Sequence, residues 1–285
     1  MSNQTVAPTE ARHYATAAQH AAPDAKTWIT RGANFVVAVS QAKAGAVFLR
    51  DDNPDEYMVY LVDADGVIEA GKETMSVKAD SLTIVPPGAS RVTLSGPGQL
   101  VRVFSVKADD LARAASNAAS YAAGAPDVAP LQPWPDPVGG FKLRNYQLRD
   151  YIQSGSNMRI FRSTNLMMNI MLARDSPRDV HKLSPHSHSD FEQGSLALTG
   201  DWVHHMRYPW TADMTTWKSD EHIEMGSPSL LVIPPKVIHT SRNVNDGGAA
   251  LVDVFAPPRM DFSIKPGMVC NAVDYPMPVV AGQQA

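Results

Sequence analysis

The sequence predicts an all-β chain made of two copies of one sandwich or barrel, and three observations carry that reading. The first is the density of short apolar runs. Residues 35–39, 57–62, 81–85 and 101–104 are rich in β-branched, aliphatic and aromatic side chains, and turn signals such as Asp65-Gly66 and Pro86-Pro87-Gly88 separate them. Many short strands punctuated in this way build a sandwich or a barrel. The second is an internal repeat: residues 29–37 line up with 160–168, placing Ile29 on Ile160, Arg31 on Arg162 and Asn34 on Asn165, and residues 81–87 line up with 229–235. On this register Asp55 and Glu56 fall on Glu192 and Gln193. The third is size, since 285 residues with 44% hydrophobic content exceed one ordinary domain and supply apolar surface for two cores.

Taken in order, residues 1–27 read as an N-terminal arm with little core of its own, placed to drape over a partner subunit. Residues 28–107 form the first copy. In the connection, 108–140, an alanine-rich stretch opens with Asp109 and Asp110, as a helix N-terminus favours. Residues 124–140 then hold five prolines and exclude regular structure. A short helix is expected over 146–151. Residues 141–285 form the second copy, ending in a strand near Val252–Phe255 and a proline-punctuated tail; alternation leaves open whether Asp253 faces a pocket or solvent.

Composition excludes several functions. A net charge of −4 with no basic cluster offers no field for nucleic acid. No run approaches membrane-spanning length, so no membrane partner is expected. The single cysteine, Cys270, rules out an intrachain disulfide and fits a reducing compartment; with no signal-peptide pattern at residue 1, a cytoplasmic location is expected.

The chemistry-bearing stretch is 185–193. His186 and His188 lie one residue apart on an extended segment and so point the same way, within reach of one metal ion. Gln193 opens an alternating run that closes at Gly200, and His239 follows Pro234-Pro235. Read as His-x-His-x(4)-Gln-x(6)-Gly and Pro-x-Lys-x-x-His-x(3)-Asn, these stretches resemble the two motifs of the cupin superfamily. The resemblance covers both copies and implies a bicupin: two jelly-roll β-barrels joined by a short helical and Pro-rich linker. It implies one divalent ion held by His186, His188, Gln193 and His239, with Glu192, one residue off register, as the alternative to Gln193. Val180 and Lys236 stand where the family has glycines, which alters turns and not ligands. In the first copy the positions of the histidine pair fall in 49–52 and that of His239 on Arg91, so this copy is expected to be metal-free, with Glu56 pairing Arg91 across it or, as the alternative, an anion bound at Arg91.

The second copy also carries an insertion, since Gln193 and His239 are 46 positions apart and Glu56 and Arg91 only 35. If extended, it puts Trp202, His204, Met206, Tyr208 and Trp210 on one face and Val203, His205 and Arg207 on the other. His204, His205, Arg207 and Tyr208 are the candidates for an acid, a base or an anion clamp; packing of the aromatics against a partner subunit is the competing reading.

Three neutral imidazoles and an amide leave an ion its full double charge, which favours a small, anionic, oxygen-rich substrate. Imidazole with oxygen donors suits iron(II), the first expectation, or manganese, nickel or zinc. The resemblance then implies an iron-dependent dioxygenase, with a metal-dependent isomerase, lyase or cyclase of a sugar or sugar acid as alternative and a non-catalytic binding cupin as a third class. A homo-oligomer, a dimer, is expected.

Overall fold

Alternation along the strand Gly98–Ser105 divides its side chains between two cores. Val101 and Val103 face one, and Leu100, Arg102 and Phe104 face the other. This division holds throughout the computed structural model, which describes residues 7–278. Four sheets lie in succession, and every named strand pair is antiparallel.

A four-stranded sheet (Val47–Asn53, Gly88–Leu94, Gly66–Ala70, Glu73–Val77) faces a seven-stranded one across Phe48, Tyr57, Val59, Ile68, Val92 and Phe104. The other face of the seven-stranded sheet packs on a six-stranded sheet of the second half, through Val37, Met58, Leu82 and Val103 against Phe161, Leu196, Leu230 and Val254. Leu196 and Leu230 are cross-strand partners and fully buried, each worth roughly 2–3 kcal/mol of apolar burial. Finally, a three-stranded sheet (Glu221–Met225, Trp202–Arg207, Ile238–Asn243) covers the far face of the six-stranded one around Met206, Ile223, Leu231 and Ile233. No sheet closes on itself among the described residues, so each half is a pair of open, facing sheets where barrels were expected.

The expected strands form as Phe35–Ala42, Tyr57–Leu61, Ser81–Val85 and Gly98–Ser105. The arm differs from its expectation. Thr9–Ala11 adds an edge strand beside Ser229–Ile233 of this chain's own second half, and His13 is buried. The second half returns the exchange: Arg144–Gln147 is a strand that adds to Ser81–Val85 of the first half, and the helix expected over 146–151 is a short 3-10 helix, Leu148–Tyr151. These two edge strands occupy equivalent places in the repeat. Each half donates the strand that covers the other's sheet edge. In the connection, Asp109–Ala114 is helical with Asp109 and Asp110 in its first turn, and regular structure is absent from 122 to 143. No helix is long and apolar enough to cross a membrane.

Candidate metal centre

The extended segment 185–190 runs beside the strand Ile238–Asn243. His186 and His239 exchange backbone hydrogen bonds, the amide of His186 to the carbonyl of His239 at 3.1 Å and the reverse at 2.8 Å. His188, two residues on, projects to the same side, and its carbonyl accepts from the amide of Lys236 at 2.6 Å. Lys236 adopts φ +68°, the left-handed conformation that explains why a glycine suits this position. The strand therefore turns as the motif requires although a lysine stands there, and the Lys236 ammonium reaches Asp127 at 2.7 Å.

The three rings converge, with centroids 4.5–5.2 Å apart and one nitrogen of each within 4.8 Å of the others. Their tautomers are set from behind. Nδ1 of His186 lies 2.9 Å from the carbonyl of Ser184 and Nδ1 of His239 lies 3.0 Å from that of Val237, so each Nδ1–H is spent on the backbone and each Nε2 keeps its lone pair. Burial pushes His188 down to about 3 and His239 down to about 4, so both are neutral at physiological pH, as ligation requires.

Gln193, the first residue of the strand Gln193–Thr199, completes the cluster. Its Oε1 is 2.9 Å from Nε2 of His188 and 3.3 Å from Nε2 of His239. Its Nε2 donates to Ser195 Oγ at 2.9 Å and to Asp253 Oδ1 at 3.0 Å, a network that assigns the amide's orientation. Gln193 Oε1 and His239 Nε2 are therefore two acceptors aimed at one locus. Acceptors converge in this way around a cation, so the residues fit a divalent ion. Asp253, raised to about 6 mainly by burial, is the buried anchor of the amide.

Alternation sends Glu192 to the opposite face. Its carboxylate accepts from the amide of Ala33 at 2.6 Å and from Tyr121 Oη at 3.0 Å, so the structure does not bring this alternative ligand to the histidines. The counterpart of that contact corrects the repeat register. Glu56 accepts from the amide of Thr164, which aligns with Ala33. Tyr57 pairs with Val85 as Gln193 pairs with Ile233. Glu56 thus corresponds to Glu192, and Tyr57, not Glu56, takes the place of Gln193. Arg91 is corrected likewise: it is exposed beside Glu69 at 3.6 Å, whereas Glu56 is buried against Thr164 and Tyr275, so the expected Glu56–Arg91 pair does not form.

A cavity of about 470 Å³ opens in front of His186, Gln193 and His239. Its wall carries Arg174, Arg178, Arg259 and Lys265 against Asp253 and Asp261, a formal excess of two positive charges (4 − 2 = 2) before any ion is counted. Arg259 is buried, stacks 3.7 Å over Phe262 and holds Asp261 bidentately. Of the insertion's candidates, only His204 approaches the cluster: its Nδ1 is 2.7 Å from Oγ of Ser241, which lines the cavity, and its buried Nε2 has no partner. His205 faces outward to His222 at 2.8 Å, Arg207 is exposed on Asp220 at 2.6 Å, and Tyr208 is buried with its hydroxyl on Glu221 at 2.6 Å. Strand alternation and the short extent of the strand, which ends at Arg207, keep these three from the cavity. The chain also leaves the face at Trp210, which is exposed and stacks on Trp217. Sequence reasoning missed Arg174, Arg178 and Arg259, which lie in irregular segments where no periodicity marks a facing direction.

No protein-family model matches the chain, and no curated protein matches it. Solved structures do. AerE from Microcystis aeruginosa superposes over 90% of this chain and 100% of its own at TM-score 0.55 and 9% identity. The oxalate decarboxylase of Lactobacillus farciminis in its formate complex covers 91% and 87% at 0.58 and 12%. A variant of the Bacillus subtilis oxalate decarboxylase covers 93% and 82% at 0.58 and 11%. A cupin 2 conserved barrel domain protein of Leptotrichia buccalis superposes more loosely, at 0.49, and adds no weight. At such identities the likeness is one of fold alone.

Proposed function

We propose that the chain is a bicupin metalloenzyme whose second half holds one divalent ion through His186, His188, His239 and Gln193 and acts on a small, anionic, oxygen-rich substrate. The observation that carries this reading is the convergence of Gln193 Oε1 with the histidine nitrogens at the floor of a cavity with cationic walls. An ion held by these neutral donors would supply Lewis-acid polarisation of substrate oxygens and, as iron(II), electrons for dioxygen chemistry.

The chain's own residues do the rest. Arg174, at the cavity wall, offers guanidinium donors to a carboxylate or enolate. Arg178 is held by the carbonyl of Ser241 at 2.8 Å and by Ser184 Oγ at 2.9 Å, and keeps positive charge beside His186. His204, kept neutral because burial pushes it down to about 3, contacts the Ser241 hydroxyl at the cavity edge. Asp253 and Ser195 keep the amide of Gln193 oriented while substrate exchanges.

Among reactions, an iron-dependent dioxygenase is our first reading, because the donor set carries no charge and a chelating anion would complete it. The second, an oxygen-independent lyase or isomerase of a small acid, is favoured by the glutamine donor and by the likeness of fold to oxalate decarboxylases. An oxygen electrode separates them. Protein loaded with iron(II) is screened with diketones, catechols and oxo acids, and in parallel with oxalate and sugar acids under anaerobic conditions. Substrate-dependent oxygen uptake supports the first reading; oxygen-independent turnover replaces it with the second. We further propose that the first half is metal-free, that the protein is cytoplasmic and that it works as a dimer.

A further inference from the structure

The first half repeats the geometry of the metal centre with different chemistry. Tyr57 stands in the place of Gln193, and its hydroxyl is 2.9 Å from Ser90 Oγ, as Gln193 contacts His239. Ser90 faces Arg50 across antiparallel strands, as His239 faces His186. Arg102 lies opposite Val59, as Asp253 lies opposite Ser195, two residues after Tyr57 and Gln193 respectively. Where the second half has two imidazoles, an amide and a carboxylate at these four positions, the first half therefore has two guanidiniums and two hydroxyls.

These cations are not balanced alike. Arg50 is paired with Asp110 at 2.6 Å and bonded to Asn53. Arg102 is buried, with 8% of its surface exposed. Its guanidinium lies 4.7 Å over the ring of Phe48 and 5.9 Å from that of Phe104. Aromatic faces cover the plane of the fork and leave its in-plane N–H donors, and Nε has no partner. Among the described residues no carboxylate is set against it. Burial, the largest influence, pushes Arg102 down to about 10, while Tyr57 opposes and Arg50 adds to the fall; at neutral pH the group is still charged. A buried charge without a counter-charge is strongly unfavourable, and a guanidinium fork matches a carboxylate in shape and charge.

We propose that the first half binds a small monocarboxylate on Arg102, at the position corresponding to the metal centre of the second half. The anion reaches the Arg102 fork where Phe48, Ser90 and Arg102 retain their slight exposure. The inference is independent of whether the second half holds metal.

Thermal unfolding of the chelator-treated full chain tests it, with sodium formate, acetate or phosphate titrated against chloride at equal ionic strength. Formate or acetate should raise the midpoint in a saturating way, by roughly 3 °C at ten times the dissociation constant. Arg102→Met should abolish that rise and, having lost an unbalanced charge, unfold no lower in chloride than the unaltered chain. His239→Ala should keep the full rise, which separates this site from the metal centre. If Arg102→Met does not fold, Arg102→Lys serves: it keeps charge without the fork and should bind formate at least tenfold more weakly. No rise over chloride, a rise that survives Arg102→Met, equal binding by Arg102→Lys, loss in His239→Ala, or a larger response to phosphate than to either carboxylate would each overturn the proposal.

Discussion

Asp253 accepts a hydrogen bond from the side-chain amide of Gln193 at 3.0 Å, and that contact turns the Gln193 carbonyl oxygen toward Nε2 of His188 and of His239. A glutamine amide has two nearly isosteric ends, so its usefulness as an oxygen donor depends on what holds the nitrogen end. Ser195 assists, bonding both Gln193 and Asp253. Asp253→Ala releases the amide and should weaken metal affinity by roughly 10–100-fold, the usual cost of removing a partner that orients a ligand. A metal titration by calorimetry checks this, with circular dichroism as the control for folding. Unchanged affinity would show that the amide's orientation does not matter.

Neighbouring side chains at the start of one strand take opposite duties, and this gives the next prediction. Gln193→Ala should weaken metal binding. Glu192→Ala should leave metal affinity nearly unchanged but destabilise the fold by about 1–3 kcal/mol, because the half-buried amide of Ala33 and hydroxyl of Tyr121 lose their acceptor. Urea unfolding and metal titration on both variants read the two effects separately. Equal loss of metal in both would contradict the assignment.

How far the site was legible follows from these residues. His186, His188 and His239 were readable because spacing on extended chain fixes direction, and Gln193 because six residues separate it from Gly200, whose φ of +82° marks the turn. The equivalence of the two halves was readable in outline yet slipped by one residue at Asp55-Glu56, since two adjacent polar side chains give pattern matching no preference for either register. A register irregularity between Gly88 and Ser90 shifted the second motif as well, so Arg91 faces outward where Ser90 faces in. The edge strands Thr9–Ala11 and Arg144–Gln147 escaped notice because each pairs with the other half, and nothing local in three or four residues encodes a distant partner.

His13 carries a prediction about acid stability. It is buried beside Trp28, with Nε2 3.3 Å from Thr30 Oγ1, and burial pushes it down to about 4 from its ordinary 6.5. Between those values the unfolded chain binds a proton that the folded chain refuses, so this group's contribution is complete above about pH 6.5 and falls as pH drops towards 4. Its size is on the order of 3 kcal/mol. His13→Gln should therefore lose less stability between pH 7 and pH 4.5 than the unaltered protein, as measured by urea unfolding. Identical losses would show that His13 does not carry this linkage.

Metal content tests most directly whether the second half is a metal centre. After reconstitution with iron(II), manganese, nickel or zinc and removal of excess ion, elemental analysis should find about one ion per chain, none in His186→Ala or His239→Ala, and an undiminished content in Arg50→Met, which alters only the first half. An intact, folded chain that retains no ion from any of the four, or one whose ion survives loss of His239, would contradict it.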